Sequence, residues 1–335
     1  MIHANPEPIQ EPDWQAELRA ANLRSDALLA ALGLPASLAT DVAAFPLRVP
    51  PGFLARMRHG DPDDPLLRQV LPTVAEQTAA PGFCADPVGD LDAVVEPGVL
   101  RKYRGRALVM TTGACAVHCR FCFRRAFPYG DQAGVDPERL GPILAGLPDV
   151  DELILSGGDP LTLADRRLFA LIAAAEAVPR LRRLRLHTRV PVVLPTRVTE
   201  ALCARLAASR LAVVVVIHAN HPAEFDATVD AGLARLRDAG ATLLNQSVLL
   251  RGINDDVATL ERLATRLFAA GVLPYYLHML DRTAGTAHFE VDDASAIGLH
   301  RELVARLPGY LVPRLVREVP GDLGKQSLER EAGRP

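Results

Sequence analysis

From residue 107 onward the chain repeats one pattern, a short apolar run followed by a turn and a helix-length stretch. The runs begin near 107 (ALVMTT), 151 (DELILSG), 183 (RLRLHT), 211 (LAVVVVIH), 242 (TLLNQSVLL) and 274 (PYYLHML), at gaps of 44, 32, 28, 31 and 32 residues. Helical stretches lie between them, at 163 to 177, 197 to 208, 223 to 239 and 256 to 271. Strands joined by helical crossovers at this spacing predict a parallel sheet with helices on its outer face. Leu311 to Glu318 reads as a seventh strand. The expected fold is therefore α/β, a partial or full (βα) barrel of parallel strands. No GxGxxG follows the first run, which argues against a dinucleotide-binding sheet. Residues 1–100 carry Pro and Asp-Pro punctuation (Asp61 to Pro65) and helical patterning from Trp14 to Leu32. They read as a helical N-terminal appendage, 101–310 as the barrel and 311–335 as a C-terminal strand and tail.

Polar and special residues gather where these runs end, which is the face on which barrels do chemistry. Ser156 to Pro160 (SGGDP) follows the second run; His187, Thr188 and Arg189 end the third; His218 and Asn220 end the fourth. Asn245, Gln246 and Ser247 interrupt the fifth, Asp281 ends the sixth, and Glu318 to Lys325 follow the last. The net charge of -3 marks no binder of nucleic acid. The longest apolar run, Leu211 to Ile217, has seven residues, far short of the roughly 20 that span a bilayer. The opening MIHANPEPIQEPDW lacks the basic-then-apolar pattern of a secretory signal, so a cytoplasmic location and no membrane partner are expected.

Three of the five cysteines, Cys115, Cys119 and Cys122, stand on one loop after the first run with the spacing CxxxCxxC. In a reducing compartment this reads as ligation. Three thiolates can hold three irons of a cubane and leave the fourth open to a small molecule. The alternative is structural zinc with His118 as fourth ligand. Cys84 and Cys203 read as buried thiols. Only two lysines occur, Lys102 and Lys325, against 35 arginines, so any chemistry that needs a lysine amine has two candidates.

The cysteine loop, with Phe121 before its last thiol, resembles the signature of radical S-adenosylmethionine enzymes. Ser156, Gly157, Gly158 and Asp159 resemble that family's second motif, which binds the methionine amine; alone they would read as an ordinary turn. CRFCFRRAFPYG, LILSGGDPL, LLNQSVLLRGIND, LPYYLHMLD and the late GK together resemble the lysine 2,3-aminomutase group from about Phe45 to Lys325. The short C-terminus, DPDDPLLRQVLP and AHFEV resemble the bacterial branch that makes β-lysine for elongation factor P.

This resemblance implies a 4Fe-4S cluster on the three cysteines, S-adenosylmethionine, and pyridoxal 5'-phosphate joined to Lys325. It implies Arg106 on the cofactor phosphate, with Lys102 as a possible assistant, and Gln246 and Asn245 at the cofactor. Arg124 corresponds to the residue that pairs the substrate carboxylate, and Arg125 reads as structural. Asp281 and Glu318 correspond to the two acids that hold the far ammonium of lysine, although the lysine-degrading relatives have Asp where this chain has Glu318. Taken singly, Arg106 and Lys325 could be surface cations, either acid a salt-bridge partner, and His218 a core histidine. The implied partners are free or protein-attached lysine, an electron donor and a ligase that attaches β-lysine to elongation factor P, with a homo-oligomer possible. The C-terminal zinc site of the larger aminomutases is not expected.

Overall fold

The structure is a computed structural model that describes residues 13–40 and 45–330. Ten strands are present: β1 (Val94–Glu96), β2 (Val99–Leu100), β3 (Arg106–Met110), β4 (Glu152–Ser156), β5 (Arg183–Thr188), β6 (Ala212–Ile217), β7 (Thr242–Val248), β8 (Leu273–His278), β9 (Arg314–Arg317) and β10 (Gln326–Ser327). They form one sheet in chain order. From β3 to β9 every pair is parallel, and short antiparallel strands extend both ends. No pairing closes the sheet among the described residues, so the barrel is the partial form.

Each parallel step is spanned by a helix, in order Pro137–Ala145, Asp165–Glu176, Glu200–Ala207, Ala227–Asp238, Val257–Ala269 and Asp293–Arg306. Five of these start on a capping side chain, Asp136, Thr199, Asp226, Asp256 or Asp292, which accepts a first-turn backbone N–H. Each such cap contributes about 1 kcal/mol. The sequence therefore sets both the strand and the point at which its return helix begins.

Alternation along the strands decides what faces the lumen. In β5, Leu184 and Leu186 are buried toward the helices, while Arg185 and His187 turn inward to line a cavity. In β7, Leu243, Asn245 and Ser247 are buried on the outer side and Gln246 and Val248 line the cavity. Asn245 thus departs from its expected place at the cofactor. Its amide bridges the end of β6 instead, accepting from Ala219 N at 2.9 Å and donating to Ala219 O at 3.2 Å.

The leading segment is less helical than expected. Trp14 to Leu32 holds two helices, Trp14–Ala20 and Ser25–Ala31, because Arg24 is extended between them. Beyond them, among the described residues, lie only Pro51–Leu54 and three 3-10 turns, Ala36–Leu38, Val74–Gln77 and Leu91–Ala93, before β1. Its apolar side chains Leu28, Leu29, Val49, Phe53, Leu66 and Leu67 join the same buried cluster as Leu153, Leu184 and Val215 of the sheet. Among the described residues, no helix is long and apolar enough to cross a membrane.

Candidate active site

A cavity of about 560 Å³ opens at the carboxyl ends of the strands. Its wall includes Cys115, Cys119, Cys122, Arg106, Arg124, Ser156, Gly157, Gly158, Asp159, Gln246, Asp281, Glu318 and Lys325. Apart from Asn245, the site residues named from the sequence face the same space, as do Thr188, Arg189 and His218.

The cysteine loop follows β3 and is held from outside by the leading segment. His118 N donates to Arg48 O at 3.0 Å and Arg120 N to Gln69 O at 2.8 Å. Glu76, buried, takes Arg120 at 2.7 Å through Nε and Arg125 at 2.6 Å. The three thiols are free. Burial, and then the crowding of neighbouring thiols, raises Cys115 and pushes Cys122 up to about 11. Cys119 Sγ instead accepts from Arg189 Nη1 at 2.8 Å. A buried donor set that resists ionisation alone, yet carries a fixed cation at one sulfur, fits a positively charged iron core. His118 gives its Nδ1 to the Pro46 carbonyl at 2.8 Å and stacks on Phe45. Among the described residues no three His, Cys, Asp or Glu side chains converge on one ion.

The turn after β4 packs backbone against backbone on this loop. Gly158 N donates to Thr112 O at 2.7 Å and Asp159 N to Ala114 O at 2.8 Å. A Cβ at Gly157 would meet Thr112 O at 2.6 Å, and one at Gly158 would meet Ala114 O at 2.3 Å. Gly157 also has φ +118°, which an L side chain rarely adopts. The two glycines leave this wall free of side chains, which fits a ligand lying against backbone. Asp159, read from the motif as part of the amine seat, has its carboxylate engaged within the protein. It accepts from Thr188 Oγ1 at 2.7 Å, from Arg189 N at 2.7 Å and from Leu161 N at 3.0 Å. Burial nevertheless raises it to about 6, so it ties β4 to β5 rather than offering an unused charge.

A chain of alternating charges crosses the opposite wall. Arg124 Nε donates to Asp90 at 2.6 Å, Asp90 meets Lys102 Nζ at 2.7 Å, and Lys102 stands 3.5 Å from Glu318. Glu318 then accepts from Lys325, and from Tyr103 Oη at 2.5 Å. Two expectations are corrected here. The fork of Arg124 is partly used, since Nη1 also donates to Ser156 Oγ at 3.1 Å. Lys102 lies between two acids rather than on a phosphate site. Glu318 is held below its usual range: burial opposes this, but the charge and hydrogen bond of Lys325 outweigh it. Asp281 has no donor among the described residues, and burial pushes it up to about 7 despite Lys325.

Arg106 stacks over Tyr103 at 4.9 Å and has no acidic partner among the described residues. Tyr275, whose hydroxyl donates to Tyr276 at 2.9 Å, lines the same region, as do Arg185 and Gln246. A free guanidinium, phenol hydroxyls and one lysine amine fit a phosphorylated aldehyde. His187, His218 and His278 are kept neutral, all by burial, with His218 lowered to about 3.

Sequence reasoning missed Asp90, Tyr103, Arg185, Tyr276 and His278. Period-two counting along β5 and β8 would have found the last three, whereas Asp90 sits in a turn with no such signal. Cys84 is exposed rather than buried, although its backbone bridges to the buried Thr283. Cys203 is half-buried.

The Radical SAM superfamily pattern matches residues 109–264. The chain is 47% identical over 95% of its length to L-lysine 2,3-aminomutase of Escherichia coli K12, covering 94% of that protein. It is 43% identical over 94% of its length to the Haemophilus influenzae L-lysine 2,3-aminomutase, covering 95% of it. Against the longer Clostridium subterminale L-lysine 2,3-aminomutase it is 34% identical over 85% of its length and covers 69% of that chain. The chain therefore belongs to the L-lysine 2,3-aminomutase family of radical S-adenosylmethionine enzymes, whose members use an iron-sulfur cluster and S-adenosylmethionine.

Proposed function

We propose that the chain moves the amino group of L-α-lysine from C2 to C3 to give β-lysine, with pyridoxal 5'-phosphate carried on Lys325. The observation that supports this most directly is the sharing of one cavity by the three cysteines, the glycine turn and both lysines of the chain. When bound, the cluster with S-adenosylmethionine supplies a hydrogen-abstracting radical, and the pyridoxal ring supplies an aldehyde and a conjugated system.

The chain's own residues hold and screen the reactant. Asp90 fixes Arg124 through Nε and Ser156 takes Nη1, which leaves Nη2 for the substrate carboxylate. Asp281, without a donor of its own, receives the far ammonium together with Glu318. The two ends of lysine are thereby fixed, and one of its carbons is presented to the iron-side wall. Lys325 supplies the amine for the cofactor, and Arg106 the counter-charge for its phosphate. The three neutral histidines line the cavity without adding charge or an exchangeable acid, and the buried wall keeps water from a reactive centre.

The likeness of DPDDPLLRQVLP and AHFEV to the branch that serves elongation factor P leads to the finer reading. In it, β-lysine passes to a ligase that attaches it to that factor. Anaerobically reconstituted protein given dithionite, S-adenosylmethionine and lysine is expected to form β-lysine, detected by liquid chromatography. Turnover of lysine already attached to elongation factor P, with none of free lysine, would overturn the free-substrate reading. A colourless protein with one zinc would overturn the enzyme.

A further inference from the structure

We infer that Arg189 sets the reduction potential of the iron-sulfur cluster, acting through Cys119. The inference rests on reading Cys115, Cys119 and Cys122 as the iron ligands. Arg189 Nη1 donates to Cys119 Sγ at 2.8 Å, while Nη2 donates to Gln69 Oε1 at 2.6 Å and to Glu224 Oε2 at 2.9 Å. The guanidinium is buried and lies over the rings of Phe53 and Phe121, at 5.5 and 5.6 Å. Its backbone is tied too, N donating to Asp159 Oδ2 at 2.7 Å. Glu224 is itself held, accepting from Asn220 N at 2.8 Å and His221 N at 3.1 Å. An arginine charge is therefore immobile beside one sulfur, with its counter-charge on the other nitrogen.

Reduction adds one electron to the cluster from an external donor, here dithionite, and makes it more negative by one unit. A fixed cation and an N–H···S hydrogen bond favour that more negative form, and the dry surroundings magnify the effect. Glu224 opposes it from farther away. The two side chains should thus move the potential in opposite directions, which a purely structural role would not produce.

The test is an anaerobic potentiometric titration of the reconstituted full-length protein, followed by electron paramagnetic resonance, with iron measured in parallel. Arg189→Met is expected to lower the ratio of reduced to oxidised cluster about tenfold at a given potential, a shift of about 59 mV for one electron. Arg189→Lys, which keeps the charge but not the fork, should fall between. Glu224→Gln keeps the shape, removes the counter-charge and should shift the midpoint upward. Unchanged midpoints at about four irons per chain, or shifts of the same sign in both variants, would overturn the inference. Should Arg189→Met fail to hold iron, Glu224→Gln decides alone: an upward shift supports the assignment and none overturns it. Wild-type protein that takes up no iron would refute the ligand reading instead.

Discussion

Lys325 donates to Glu318, seven residues before it in the chain. Lys102 stands 3.5 Å from the other oxygen of that carboxylate, so the only two lysines of the protein meet at one acid. The position proposed to receive the substrate's ammonium is therefore already ringed by the protein's own ammonium groups. Glu318→Gln should raise KM for lysine about tenfold, equivalent to ~1.4 kcal/mol. Glu318→Asp, one methylene shorter, loses reach to Tyr103 or Lys325 and should raise it less. Anaerobic steady-state kinetics of β-lysine formation measures both, and an unchanged KM in the Gln variant refutes the assignment.

Asp281 gives a pH signature. It must be ionised to hold an ammonium, and burial has lifted it to about 7 from an ordinary value of 3.8. Lysine binding should weaken as pH falls through 7. Stability runs the other way: the folded state binds this proton more tightly than the unfolded one, so the contribution is full below 3.8 and is lost as pH rises through 7. Asp281→Asn should bind lysine poorly yet melt higher than wild type at pH 8, with no difference near pH 3. Thermal scans at the two pH values check the sign.

Glu76 holds Arg120 and Arg125 in a buried cluster behind the cysteines. Glu76→Ala leaves two buried guanidiniums without their counter-charge, a loss of roughly 3–5 kcal/mol. Iron content after reconstitution should fall together with the melting temperature. Retention of full iron and unchanged melting would show that the loop stands without this support.

Gly158→Ala places a methyl group 2.3 Å from Ala114 O, a backbone atom that cannot step aside. Both iron uptake and S-adenosylmethionine binding should be lost, as read by absorbance and equilibrium dialysis. Gly298→Ala is the control. It lies in the Asp293–Arg306 helix with nothing within 4 Å of the new Cβ, and should stabilise by about 1 kcal/mol.

The seven parallel strands were legible because each is an apolar or alternating run bounded by turns, and five of the six return helices start on an Asp or Thr. Strands β1, β2 and β10 were not, since two or three residues carry no periodicity. The cysteines were named from their spacing and the other site residues mainly from the family resemblance, whereas their partners carried no such signal. Gln246 and Asn245 were both assigned to the cavity, although on β7 the strand alternation holds and the two point apart. Asp90, the hub between Arg124 and Lys102, reads as an ordinary turn residue because nothing local marks a side chain whose partners are 34 and 12 positions away.

The contact between the turn after β4 and the cysteine loop has a thermodynamic consequence. Peptide groups of the two segments bond to each other directly, at Gly158 to Thr112 and Asp159 to Ala114. Under the proposed assignment, metal uptake and S-adenosylmethionine affinity are linked through main-chain atoms, and each occupant should strengthen the other's seat without touching a shared side chain. Stripping the iron should loosen the methionine pocket as well, so an apoprotein will underestimate the enzyme's hold on its co-substrate.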